Sequence, residues 1–478
     1  MTSGVSTPGF EPAESVTPPA AVGAVSRALS AIIFFSLLAI LPFAAVPYGS
    51  VEPWWTGLFN ALVFLLTGLW AVEGALSGGW FSRGHAPALP LLGLAAFALL
   101  QSVDVPGLGV ISFDPYESRL FALRLLSVTA YGALLIRYAR TERRLCALAV
   151  TVVAVGVASA LFGVFRQAAQ REQLGFFLPL LPKGSGYAQF INKNHFAYTA
   201  EMALGVLLGI VAGGGVRRSK ALVPLALAVP VWAALVLSNS RGGLFAMLCQ
   251  VMFLAATFGI ARDAEAADGT GRERATRPPS LLDRVARSKA ARGALAAALL
   301  AAVIVGTAWV GGDAVADRVA SAGEEAVSSS SDPSRAGRKD IWAATWALFE
   351  EHPVAGVGLG GYWIAVRTTH EGSGALVPRQ AHNDYLELLA SSGLVGVLLF
   401  LVFPFLFVRR ARARLRGGTA FTRAVSLGAL AGLFGVAVHS LVDFGLHITA
   451  NAFVCAALVA LAATEVRAGV QKTSLKEY

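Results

Sequence analysis

The side chains with chemical reach fall in three short stretches. Ser238-Asn239-Ser240-Arg241-Gly242-Gly243 is a polar turn with two glycines between two apolar runs. Gly337-Arg338-Lys339-Asp340-Ile341-Trp342 leads on to Glu351-His352-Pro353-Val354-Ala355-Gly356-Val357-Gly358-Leu359-Gly360. Ala381-His382-Asn383-Asp384-Tyr385-Leu386-Glu387 stands just before a further apolar run. Arg124, Arg166, Glu201, His439, Asp443 and His447 lie inside or at the edges of such runs, where an ionisable group is costly and a functional candidate by default. Several arginines with few matching acids point to a phosphate-rich anion, because the guanidinium fork matches phosphate oxygens. Snorkelling of each arginine to lipid headgroups is the competing reading. The glycine-rich run 356–361 lacks the Gly-Lys-Ser/Thr ending of a nucleotide loop and reads as a compact turn.

The elements that must position these residues are set by composition. Hydrophobic residues make up 55% of the 478-residue chain and charged residues 14%, with mean hydropathy +0.63. A soluble chain carries about 25% charge. A water-soluble globular enzyme, a disordered chain and a disulfide scaffold are thereby excluded. The net charge of +10 does not indicate nucleic acid, since most of the basic residues stand in loops between apolar runs. Cys146, Cys249 and Cys455 form no C-x-x-C pair and read as small buried residues.

A spanning helix needs about 20 mainly apolar residues. Twelve runs qualify: 29–48, 55–75, 87–103, 119–137, 145–166, 196–213, 219–237, 242–260, 293–311, 393–408, 424–442 and 446–463. The third and tenth are short. Residues 1–28 read as a flexible tail, 261–292 as a charged linker, 312–392 as a large external loop and 464–478 as a second tail. With both termini in the cytoplasm, inside segments hold 26 Lys and Arg against 11 outside, six of them in the one long loop. That orientation puts six of the seven histidines at or beyond the outer boundary, with only His85 inside. The costly groups thus gather at the outer leaflet. A transporter places its site near the midplane, on related halves. Within the loop, Trp342, Trp346 and Phe349 share one helical face, suited to a membrane surface or to packing against the bundle.

Taken in order, the three stretches resemble the O-antigen ligase family of bacterial membrane glycosyltransferases, which includes related polysaccharide polymerases. Gly186-Tyr187-Ala188-Gln189-Phe190-Ile191-Asn192-Lys193-Asn194 is similar to that family's Asn-containing loop, and Val442-Asp443-Phe444 with His447 to its late segment. The resemblance covers roughly 185–465. It implies an all-α polytopic membrane protein of about 12 transmembrane helices: a C-class glycosyltransferase-like (GT-C-like) bundle with a large periplasmic loop between spans nine and ten. It implies a multi-pass protein of the bacterial inner membrane with its active site on the periplasmic face. The implied reaction moves a glycan from undecaprenyl pyrophosphate to an acceptor hydroxyl, either a lipid A–core sugar or another glycan. Transfer is implied to be inverting and to need no metal, nucleotide or other cofactor.

Under that chemistry Arg241 and Arg338 stabilise the departing pyrophosphate, with Arg124, Arg166 and Lys193 as helpers. His382 is the expected base, because histidine titrates near neutral pH. A loop histidine bonded to a carbonyl is its bland alternative. Asn194 belongs to the substrate-binding set. Asn383 and Tyr385 bind sugar hydroxyls or orient the histidine. Glu387 is a second base or an orienter of His382, and Asp443 a partner for an arginine. His439, Asp443 and His447 would ligate a metal only on one continuous helix, and Gly445 argues against that helix. A polymerase differs from a ligase only in its acceptor. A twelve-span flippase and a non-enzymatic assembly partner are the other readings.

Overall fold

The computed structural model describes residues 20–81, 83–107, 109–169, 186–267, 297, 338–370 and 378–466. Nearly everything in it is helix, because long runs of Leu, Ala and Val without polar partners must satisfy their backbone groups internally. The first eight helices are α1 (Ala20–Ala45), α2 (Pro53–Ser77), α3 (Ala88–Gln101), α4 (Pro115–Tyr138), α5 (Glu142–Ala169), α6 (Lys193–Ala212), α7 (Leu222–Leu237) and α8 (Arg241–Ala267). After the undescribed stretch follow α9 (Arg338–Glu351), α10 (Tyr362–Thr369), α11 (Asp384–Leu415), α12 (Ala420–His439) and α13 (Thr449–Ala463). A two-stranded antiparallel hairpin, β1 (Asp104–Val105) with β2 (Gly109–Val110), joins α3 to α4.

Among the described residues seven helices have the length and apolarity to cross a membrane: α1, α2, α4, α5, α6, α11 and α12. Helices α3, α7, α8 and α13 carry shorter apolar stretches. These eleven match eleven of the twelve apolar runs. The run 293–311 apart from residue 297, most of the linker 261–292, and the loop segments 312–337 and 371–377 lie outside the described residues, as do both chain ends. Some edges move. Helix α1 starts at Ala20, inside the stretch read as a tail, because Ala and Val there continue the helix. Helix α8 runs on to Ala267, into the linker. The tenth span is longer than its apolar run, since α11 begins at Asp384 and passes through a kink at Gly393 (φ 58°, ψ −165°).

Helices α6 and α12 press together along small residues. A Cβ on Gly209 would stand 2.0 Å from the Gly428 Cα, and one on Gly205 2.4 Å from the Gly432 nitrogen. Such small-xxx-small spacing lets two backbones approach, and dispersion packing then holds them. Glu201 continues the glycine row of α6 one turn outward, and His439 ends α12. The two meet at 2.8 Å, both fully buried.

Helices α9 and α10 form a small subdomain around Ala344, Leu348, Val357, Tyr362, Val366 and Ala381. The buried face of α9 is Ile341, Ala344, Thr345 and Leu348. The aromatic stripe lies beside it: Trp342 is half-buried and Trp346 is 48% exposed. The glycine-rich run does more than turn the chain. It is a strap between the bundle and the kink of α11. Val357 and Gly358 donate to the Ala390 and Ser391 carbonyls, and Phe113 donates back to Val357. Fully buried Gln101 donates to Ala355 and Ser391 and accepts from the Leu359 amide. Gly358 (φ 99°) has Ser112 where a Cβ would stand, at 2.3 Å. Only glycine fits there.

Candidate active site

Several site residues stand at the N-terminal ends of helices, and three of those ends meet. Asn192 caps α6 by accepting from the Asn194 amide. Ser240 precedes α8 and accepts from the Gly243 amide. Asn383 caps α11 by accepting from the Tyr385 and Leu386 amides. Asn and Ser are favoured at these positions because a side-chain oxygen satisfies an amide that has no helical partner.

Side chains tie the three ends together. The Ser240 hydroxyl donates to Asn194 Oδ1 at 2.8 Å, and Asn194 Nδ2 donates to Asp443 Oδ2. Asp443 also accepts from the Phe444 amide at 2.9 Å. Its Oδ1 faces His382 Nδ1 at 3.5 Å. Asp443 is fully buried, and burial alone would raise its carboxyl. The contact with His382, the neighbouring His195 and the Phe444 amide more than offset that and hold it at about 2. It is therefore ionised at any physiological pH.

His382 has φ 51°, in the left-handed region that few non-glycine residues adopt. The chain is pinned on both sides of it. The Ala381 amide donates to Glu387 Oε2 at 2.7 Å, and Trp342 Nε1 donates to the Ala381 carbonyl at 2.9 Å. The Asp384 amide donates to the Ser440 carbonyl at 2.9 Å. Strain held by surrounding bonds is typical of functional positions. Nδ1 is buried while the side chain as a whole keeps 33% of its surface.

The other expected site residues fall into two groups. Arg241 opens α8 directly after Ser240. Gly242, the next residue, has His439 Nε2 2.6 Å from where its Cβ would stand, which sets the α8 end against the α12 end. Lys193 opens α6 beside Asn194. Arg338 opens α9 and is exposed, one turn before the Trp342 that touches the Ala381 carbonyl. Arg124, on α4, is half-buried, and its charge is felt at His447. The second group serves as braces. Arg166 donates to the Ala188 carbonyl and so holds the loop before α6. Tyr385 donates to the Ala437 carbonyl at 2.8 Å. Glu387 is buried behind the His382 turn, so it orients that turn. Asn383 spends its carbonyl oxygen on the cap.

Two pairs escape sequence reasoning. His447 Nε2 lies 3.4 Å from Asp384 Oδ1 and 3.8 Å from Glu387 Oε1. Phe444 stands among three imidazoles, edge-on to His195, His382 and His447. The signal for Asp384 was its place in the His382 stretch. Helix α12 ends at His439 and residues 445–447 form a separate 3-10 turn, so His439, Asp443 and His447 share no helical face. Among the described residues no group of three or more His, Cys, Asp or Glu is arranged to hold a metal ion. A cavity of about 380 Å³ is lined by Val110, Ile111, Phe113 and residues 352–356; none of these belongs to the His382 network.

The arrangement offers a carboxylate-backed imidazole beside three helix N-termini and an arginine. Helix N-termini carry partial positive charge and free amides, which favour an anion. No curated protein matches the chain. Residues 225–401 match the family model described as O-antigen ligase. The match runs from within α7 to within α11 and takes in Arg241, Arg338 and the His382 turn.

Proposed function

We propose that this chain is a lipid-carrier-dependent glycosyltransferase, moving a glycan from undecaprenyl pyrophosphate to an acceptor hydroxyl on the periplasmic face. One observation carries the reading: His382, backed by Asp443, stands where the N-termini of α6, α8 and α11 meet, with Arg241 on one of them. His382 Nε2 takes the acceptor hydroxyl proton. The acceptor oxygen attacks the anomeric carbon from the face opposite the leaving group, which inverts it. The bond from that carbon to the pyrophosphate oxygen breaks, and the diphosphate departs with its negative charge. Arg241, Arg338, Lys193 and the helix amides stabilise this charge more in the transition state than in the ground state. Asp443 keeps the Nδ1 proton in place and balances the imidazolium that forms. The reading includes twelve spans, both termini in the cytoplasm, and a bacterial inner membrane.

A polymerase of the same family would use the same residues with a growing glycan as acceptor in place of lipid A–core. The test is reconstitution with purified carrier-linked glycan, offering lipid A–core, free glycan and a peptide in turn. The acceptor consumed decides between ligase and polymerase. In cells, His382→Ala and Arg241→Ala should abolish transfer and leave carrier-linked donor on the periplasmic side. Donor accumulating on the cytoplasmic side would instead show a flippase. Unchanged transfer would show an assembly partner.

A further inference from the structure

At the opposite end of α12 from the His382 site, arginines gather between helices. Helix α12 has 20 residues, which separates its two ends by about 30 Å. Arg414, in the last turn of α11, is only 8% exposed. Its Nε and Nη2 atoms are buried with no hydrogen-bond partner. Its guanidinium lies against the chain entering α12: a Cβ on Gly418 would stand 2.7 Å from Arg414 Nη1 and 2.7 Å from Thr422 Oγ1. Arg423, 5% exposed, donates to the Gly418 carbonyl at 2.7 Å. Arg410 donates to the Ala463 carbonyl and pairs with Glu465 at 2.7 Å. The other nearby carboxylate, Glu142, accepts from Thr419 at 3.2 Å. Among the described residues, the carboxylates beside Arg410 and Arg414 are Glu465 and Glu142. One of these is committed to Arg410, and the other is exposed.

Buried guanidinium donors that meet no acceptor are expensive, and native structures supply such groups with a partner. The first turn of α12 adds amides that a helix cannot satisfy itself. Planar N–H donors beside a helix N-terminus fit the oxygens of a phosphate group. Basic pockets between spanning helices hold lipid headgroups in the same way.

We propose that the ends of α11, α12 and α13 form a seat for a phosphate group, gripped by Arg414 at the N-terminus of α12. This seat is independent of the glycosyl-transfer site.

The test uses the full chain in nanodiscs of phosphatidylcholine alone, of phosphatidylcholine with phosphatidylglycerol, and of phosphatidylcholine alone with inorganic phosphate in the buffer. Tm is read by tryptophan fluorescence. The expected result is a rise in Tm of about 2–4 °C in at least one anionic condition. Arg414→Gln should abolish the rise. Arg409→Gln, which removes an exposed charge from the same helix, should keep it. A rise with phosphatidylglycerol only identifies a lipid headgroup; a rise with inorganic phosphate identifies the free anion. No rise in either condition, or a rise that Arg414→Gln retains in full, overturns the proposal. If Arg414→Gln does not fold, Arg414→Lys replaces it: the charge stays, the fork is lost, and at least half of the rise should disappear. An undiminished rise in Arg414→Lys overturns the proposal equally.

Discussion

Asp443→Asn probes the proposed base directly. The change is isosteric, yet it reverses the hydrogen-bond sense at one oxygen. Asn194 Nδ2 donates to Oδ2, while the Phe444 amide and His382 both face Oδ1, so an amide NH2 would meet one donor in one orientation and two in the other. If that NH2 turns to His382, it donates to Nδ1 and moves the ring proton to Nε2. The open nitrogen then cannot accept a proton. If it turns to Asn194, His382 keeps its tautomer but loses the charge that balances the imidazolium. At the observed 3.5 Å and an effective dielectric near 20, that balance is worth about 4–5 kcal/mol at most. General base catalysis contributes about 10²–10⁴-fold, and a contact longer than a formed hydrogen bond places the effect near the middle. We expect kcat to fall about 10³-fold, near 4 kcal/mol, with KM little changed, because the imidazolium exists only as the proton moves. Proteoliposomes supplied with carrier-linked glycan and acceptor provide the assay. Adding Asp443→Asn to His382→Ala should cost little more than His382→Ala alone. A rate in Asp443→Asn within about fivefold of wild type, or full additivity of the pair, would refute the dyad.

Other outcomes follow from the same geometry. Asp443, held at about 2, lies below the usual aspartate value of about 3.9. A depressed carboxyl contributes stability that is present above about pH 4 and lost as pH falls towards 2. Acid unfolding followed by tryptophan fluorescence should therefore lose part of its pH dependence in that window in Asp443→Asn, by about 2–3 kcal/mol. Gly209→Ala puts a Cβ 2.0 Å from the Gly428 Cα. We expect it to force α6 and α12 apart and cost about 1–3 kcal/mol or more, read as a lower Tm. Glu387→Gln keeps an acceptor for the Ala381 amide but removes its charge, so kcat should fall only a few-fold while Glu387→Ala, which frees the His382 turn, falls much further. Arg241→Lys keeps the charge and loses the planar fork; it should recover only a minor part of what Arg241→Ala loses, in the same transfer assay.

The parts of this site legible in the sequence are those whose physics is local. Apolar runs of spanning length declare helices, because the bilayer imposes that rule on each segment separately. The Arg241 and His382 stretches were recognisable because their unusual residues lie within seven positions of one another. Asp443 is different. Its partners Asn194 and His382 are 249 and 61 positions away, and nothing in either segment names the other. Sequence reasoning assigned Asp443 to an arginine on charge alone, whereas the fold sets an imidazole against it. Asn383 and Tyr385 read in the sequence as sugar ligands or orienters of the histidine, and an asparagine directly before a helix also has the local task of capping it. The glycine run was taken for a turn because a turn is what glycines suggest in isolation. Its actual role needs Ser112, Gln101 and Ser391 beside it, from three other parts of the chain. A helix N-terminus is legible in one segment, but the field at the site depends on how many N-termini point at one place. That number comes from the glycine seam between α6 and α12, the Gly242 contact with His439 and the strap that seats α11. Closing those three approaches is what gathers weak, separate dipoles into one anion site, so substitutions at these remote glycines should act on transfer as well as on stability.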